Sequence, residues 1–197
     1  MASRLLLIRH AAFEDAGRSL LVGSTDLPAS PLGLQDLQRL APVLAGFNPE
    51  FWFCSPLLRA RQSMARLGEL CQTALAGVVD ERLREIDFGR WEMKSLAEIA
   101  QMDGALIPRW TEYNGFVFPE GEPLAAFCAR VASVLAELRA SAHREIAVVS
   151  HGGVIRTLIC LALGLSPKNY LLFEVQPGSL AVLDLHPEGA VLAGLNL

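Results

Sequence analysis

A chain of 197 residues has room for one sizeable core, or one core with a small appended lid. Apolar residues make up 52% of it, yet its apolar runs fall well short of the roughly 18 residues a membrane span needs, and its start lacks the layout of a secretory signal, so a cytoplasmic protein is expected. Net charge is −4, and the 17 basic residues, all arginine except Lys94 and Lys168, are scattered, which argues against a nucleic-acid footprint and leaves single arginines as candidate grips for anions.

In chain order, Leu5-Leu6-Leu7-Ile8 is a strand-length apolar run that stops at Arg9-His10. Helical patterning follows at about 31–45. Phe51-Trp52-Phe53-Cys54 is a second strand, leading through Ser55 into a helical stretch at 56–71 in which Pro56 suits the first turn and Arg59 falls about one turn in. Between Phe88 and Phe118 the pattern loosens and Asp103-Gly104, Pro108, Asn114-Gly115 and Pro119 punctuate it, which predicts a lid or insertion over about 88–122. That stretch holds Phe88, Trp91, Trp110, Tyr113, Phe116 and Phe118, either to fill a small subdomain or to receive a flat ligand. The segment 124–140 puts Phe127, Val131, Val134, Leu135 and Leu138 on one stripe, opposite Arg130, Glu137 and Arg139, as in a helix lying on a sheet.

Ile146-Ala147-Val148-Val149 is a third strand, ending at Ser150-His151, and Gly152-Gly153 opens an apolar helix that Gly164 suits as a terminator. Leu180 to Leu185 and Ala190 to Leu195, around His186-Pro187-Glu188-Gly189, read as a hairpin at a sheet edge. This alternation is α/β grammar in a single domain, 1–197. Cys54, Cys71, Cys128 and Cys160 form no Cys-x-x-Cys pair and read as buried free thiols. His143 and His186 read as surface residues.

Open α/β sheets assemble their sites beyond the carboxyl ends of their strands. Three such ends here bring Arg9 and His10, Arg59, and His151 with the amides of Gly152 and Gly153. Guanidinium forks and a glycine-opened helix start both bind phosphate oxygens, so the cluster predicts an anion pocket. Two imidazoles beside a bound phosphoryl group suggest that one attacks phosphorus and the other donates to its oxygens. The leaving alkoxide then needs a proton, and among Glu85, Asp87 and Glu92 the candidate is Glu85, on the expectation that burial by Leu83, Ile86 and Phe88 keeps it protonated.

Six ordered stretches carry a family resemblance: Arg9-His10, Asp26-x-Pro-x-Ser-Pro-x-Gly33, Ser55-Pro-Leu-x-Arg-Ala-x-Gln62, Leu83-x-Glu-x-x-Phe-Gly-x-Trp-Glu92, Gly121-Glu122 and Ser150-His-Gly-Gly153. Together they resemble the histidine phosphatase superfamily. The resemblance implies a phosphoglycerate mutase-like fold, a three-layer sandwich whose mostly parallel central sheet has helices on both faces. It implies His10 as the phosphorylated nucleophile, Glu85 as proton donor, and Arg9, Arg59, His151 and Gly152 around the phosphoryl group, with Gly23 close to substrate and neither metal nor other cofactor. The flank of His10 departs from the pattern, with Ala11, Ala12 and Ala16 where the family has Gly, Glu and Asn. Ala11 removes backbone freedom, and Ala12 and Ala16 remove polar contacts.

Within the superfamily, the short chain, Thr25-Asp26-Leu27-Pro28 and the stretch around Glu85 are most similar to α-ribazole phosphatases of cobalamin assembly. That implies a small-molecule phosphomonoester, α-ribazole 5′-phosphate or its cobalamin-linked form, as substrate. The alternatives are a broad sugar or nucleotide phosphatase, a phosphoglycerate mutase, and a phospholigand-binding module without catalysis. A homodimer is compatible with the sequence.

Overall fold

The computed structural model describes residues 3–14, 19–72, 76–113 and 115–197. In chain order the elements are β1 (Ser3–Arg9), β2 (Leu20–Leu21), α1 (Pro31–Asp36), α2 (Ala41–Leu44), β3 (Phe51–Cys54), α3 (Leu58–Cys71), β4 (Gly77–Val79) and β5 (Lys94–Ser95). There follow α4 (Leu96–Asp103), α5 (Ile107–Glu112), α6 (Leu124–Ala140), β6 (Glu145–Ser150), α7 (Gly152–Ala162), β7 (Leu180–His186) and β8 (Gly189–Gly194). Six strands form the main sheet in the order β4-β3-β6-β1-β7-β8, while β2 and β5 pair separately. The first four of that order run parallel, and β7 turns against β1 to begin the expected edge hairpin with β8.

Strand side chains alternate between two cores, because successive residues point to opposite faces. Leu5, Leu7, Ile146, Val148 and Phe53 pack with α6 and α7. Leu6, Ile8, Ala147, Val149, Trp52 and Cys54 pack with Leu37, Leu40, Leu44, Ala60 and Leu67 of the segment from α1 to α3. Helices therefore cover both faces of a mostly parallel sheet, and strands buried on both sides read as the unbroken apolar runs seen in the sequence. The predicted stripe on α6 is buried as expected. No helix among the described residues is long and apolar enough to cross a membrane.

Several local expectations needed correction. The helical pattern at 31–45 is broken into α1, a 3-10 turn at Leu37–Leu40 and α2. Pro42 stands at the start of α2 and has no N–H to carry a continuous ladder through. Helix α3 starts at Leu58, so Pro56 lies before it and Arg59 sits in its first turn; the Asp26 carboxylate takes the Leu58 N–H at 2.6 Å. The loose stretch from 88 to 122 contains two short helices, and α4 opens with a capping box in which Ser95 and Glu98 each accept the other's backbone N–H. Of the four free cysteines, Cys54 and Cys160 are buried and Cys71 and Cys128 partly so.

Candidate active site

Strand register brings the histidines together. β1 and β3 flank β6 in parallel, with Arg9 opposite Ser150 and Cys54 opposite Val149. One residue further on, His10 N donates to Ser150 O at 2.9 Å and Ser55 N to Val149 O at 2.9 Å. The chain ends of three adjacent strands are thus level, and the His10 and His151 rings lie 4.9 Å apart.

The hydrogen bonds on His10 define its tautomer. Its Nδ1 lies 2.7 Å from Ala11 O, which only accepts, so Nδ1 carries the proton. Its Nε2 receives Arg59 Nε at 3.3 Å, and a guanidinium only donates, so Nε2 presents a lone pair. Burial, followed by the charges of Arg9 and Arg59, lowers the His10 pKa well below the ordinary 6.5. Arg59 is itself 1% exposed, with Nη1 on Thr25 O and Nη2 on Gly23 O, both at 2.7 Å.

His151 is fully buried, and burial, with His10 and the two arginines next, also lowers its pKa well below 6.5. Its Nε2 lies 2.6 Å from Ser55 Oγ, and its Nδ1 has no partner among the described residues. Arg9 donates Nη1 to Val175 O at 2.6 Å while its Nε is likewise buried and unpaired; burial brings its pKa down to about 10. Unpaired buried polar nitrogens are costly, and here two of them sit in one cluster. Gly152 opens α7 against the Arg9 guanidinium, where an added Cβ would stand 3.4 Å from Arg9 Cζ.

Glu85 faces this cluster but not in the way burial alone suggests. It is half-buried, and its carboxylate accepts from Ile86 N at 3.0 Å and Gly153 N at 2.9 Å. Leu83 and Ile86 are buried in the core, and two backbone N–H groups hold the carboxylate where burial by these apolar neighbours was expected. The Gly153 amide, expected on a ligand, is occupied by Glu85. A Cβ on Gly153 would come 2.5 Å from Glu85 Oε1, which explains why glycine stands there.

Arg130 and the motif residue Glu92 act by holding backbone. Arg130 of α6, read from sequence as solvent-facing, donates Nη1 to Arg82 O and Arg84 O at 2.6 Å, and pairs through a fork with Glu122 at 2.8 and 2.9 Å. The segment that carries Glu85 is therefore clamped from α6. Glu92 accepts from Ser24 N, Ser24 Oγ and the Thr25 hydroxyl, and so holds the loop whose carbonyls grip Arg59. Gly23 in that loop has φ +57°, and a Cβ there would meet Glu92 Oε1 at 2.3 Å.

These groups open on a cavity of about 250 Å³. Arg9, His10, Gly23, Arg59, Glu85 and Gly152 line its floor, and Phe88, Trp110, Tyr113, Phe118 and Tyr170 its walls. Of the lid aromatics, Trp91 and Phe116 are buried packing residues and Phe88, Trp110 and Tyr113 face the cavity, so filling and lining are both served. Sequence reasoning missed Arg156, Tyr170, Ser55 and the clamp of Arg130; Arg156, a lone cation in an otherwise apolar helix, was the visible signal. At the departures beside His10, Ala11 keeps an ordinary negative φ and needs no glycine. Its N–H reaches Ser63 Oγ at 2.8 Å. Ala12 contributes its carbonyl to Ser30 N at 2.8 Å, and Ala16 lies outside the described residues. His186 is exposed, while His143 stacks on Phe51 with its ring partly covered.

A doubly covered, mostly parallel sheet thus brings two buried imidazoles and two guanidiniums together beyond its strand ends. The family model of the histidine phosphatase superfamily (branch 1) matches residues 5–197, and the chain belongs to that superfamily of phosphomonoester hydrolases. It is 32% identical over 195 residues to the adenosylcobalamin/α-ribazole phosphatase of Escherichia coli K12, covering 98% of this chain and 95% of that one. It is 28% identical over 196 residues to phosphoserine phosphatase 1 of Hydrogenobacter thermophilus, covering 98% and 92%. The solved α-ribazole phosphatase of Shigella flexneri superposes with a TM-score of 0.86 at 28% identity, covering 98% of this chain and 96% of the other.

Proposed function

We propose that this phosphatase forms a phosphohistidine at His10 Nε2, without a metal, and acts on α-ribazole 5′-phosphate or adenosylcobalamin 5′-phosphate. The observation that carries the mechanism is the tautomer of His10, neutral with its Nε2 lone pair facing Arg59. That lone pair attacks phosphorus, the P–O bond to the alcohol breaks, and Glu85 supplies the proton that the leaving oxygen needs. Arg9, Arg59, the Gly152 amide and His151 Nδ1 share the phosphoryl oxygens, which gives the unpaired buried nitrogens their acceptors. In the second step Glu85 takes a proton from water, water displaces the histidine, and inorganic phosphate leaves.

The decisive experiment is a denaturing alkaline quench during turnover, which preserves a P–N bond. An acid-labile phosphoryl group should be recovered on His10 and be absent from His10→Ala, whose turnover should fall on the order of 10⁴-fold or more. Stable turnover in His10→Ala would end the covalent mechanism. The substrate rests on the cavity walls, since Phe88, Trp110 and Tyr170 offer flat apolar surface to a benzimidazole, which a substrate as small and polar as phosphoserine would leave unfilled. Turnover of α-ribazole 5′-phosphate no faster than of several sugar phosphates or phosphoserine would remove that assignment. Four free thiols fit a reducing, cytoplasmic setting.

A further inference from the structure

The pocket carries a third guanidinium that the phosphoryl site does not use. Arg156 stands one turn beyond Gly152 on α7 and lines the same cavity. Helical side chains lean toward the amino end, which carries this one back over the Gly152 turn. Its Nε donates to Phe173 O at 2.8 Å, which holds the stem. Neither of its terminal nitrogens has a partner among the described residues. Four arginines away from the cavity, Arg4, Arg82, Arg90 and Arg130, are each matched by a carboxylate, on Asp184, Asp80, Asp103 and Glu122, while Arg39 and Arg139 meet only carbonyls among the described residues. Arg156 instead adds positive charge to Arg9, helping to lower the latter's pKa, and it acts in the same sense on the Tyr170 hydroxyl at the cavity wall.

Three guanidiniums and one carboxylate, Glu85, line the cavity, so positive charge stays in excess there until an anion enters. The phosphoryl oxygens already have donors nearer the strand ends, whereas Arg156 stands further along the wall where the alcohol portion of a substrate lies. We propose that Arg156 is a specificity residue that binds a second anionic group on that alcohol, a carboxylate or a phosphodiester, through its free fork. The proposal rests on the phosphatase reading and narrows it. Of the two cobalamin precursors, the cobalamin-linked 5′-phosphate carries a phosphodiester on the same ribose, and free α-ribazole 5′-phosphate carries none.

The test compares wild type with Arg156→Gln on four phosphomonoesters. Adenosylcobalamin 5′-phosphate offers a phosphodiester and 3-phosphoglycerate a carboxylate, while α-ribazole 5′-phosphate and p-nitrophenyl phosphate offer no second anion. One of the first two should lose about 10- to 100-fold in kcat/KM, mostly through KM, with the last two within about threefold. The substrate that suffers names the anion, and Arg156→Lys should recover part of the loss. Equal losses on all four would make Arg156 a phosphoryl or backbone anchor and overturn the proposal, as would no loss on any. Calorimetric titration of the same esters into His10→Ala, with and without Arg156→Gln, needs no turnover. Failure of wild type to hydrolyse any ester would therefore sink the phosphatase reading while the binding ratios still judged Arg156.

Discussion

On one side of the pocket the backbone places the chemistry, and on the other side chains place it. His10, His151 and Ser55 are level because β1, β6 and β3 are paired in parallel, and moving any one of them means breaking the central sheet. Glu85 has no strand beneath it. It is held by the Gly153 amide, by its neighbour Ile86, and by Arg130 gripping the carbonyls just before it. The His10 side therefore resists local change, whereas the Glu85 side can be displaced by substitutions that leave the fold intact.

The largest test of that contrast is Glu85→Gln, which keeps shape and removes the proton. Turnover of alkyl phosphates should drop by about 10²- to 10⁴-fold, and p-nitrophenyl phosphate, whose leaving group needs little protonation, should lose far less. Equal losses on both would take Glu85 out of the acid role. Gly153→Ala is the next in size. Its Cβ would enter 2.5 Å from Glu85 Oε1, the far end of a flexible side chain, so the carboxylate should shift and the helix should not. A displacement of that order costs on the order of 10²-fold in rate. We expect the loss to follow the Glu85→Gln pattern across leaving groups with little change in Tm; a large fall in Tm would show that the two sides are mechanically one.

Arg130→Met should act more weakly on rate and more strongly on stability. It releases two carbonyls and leaves Glu122 without its fork, which costs about 1.5–3 kcal/mol for charged hydrogen bonds in a partly buried position. Denaturant titration should register that loss, and kcat on alkyl phosphates should fall less than in Gly153→Ala. Unchanged stability would mean that the segment before Glu85 holds itself.

The same contrast explains what the sequence made legible. Strands buried on both faces announce themselves as apolar runs, and their polar stops at His10 and His151 mark the site, so the sheet and the strand-end cluster were readable. The environment of Glu85 was not, because two of its hydrogen-bond partners stand 68 and 45 residues downstream. Arg130 was assigned to solvent by helical periodicity, which gives the direction of a side chain but not its reach. The break at Pro42 and the late start of α3 at Leu58 are boundary details that patterning resolves poorly, since Asp26 caps α3 from 32 residues away.

The smallest expected effect separates the two sides by pH. A histidine in the unfolded chain protonates near pH 6.5, whereas burial, with Arg9 and Arg59 nearby, holds folded His10 and His151 well below that. Above about pH 6.5 both states are neutral and these residues contribute no slope. As pH falls through that value the unfolded state binds protons that the folded one refuses, so stability declines toward acid by about 1.4 kcal/mol per pH unit for each histidine, roughly tenfold in the folding equilibrium. Carboxylates add a background that wild type and His151→Asn share. Urea midpoints at several values between neutral and mildly acid pH should therefore give a slope shallower in His151→Asn by about that amount. Parallel slopes would mean that His151 protonates freely inside the fold, and with it the neutral strand-end pair would fail as a description of the resting site.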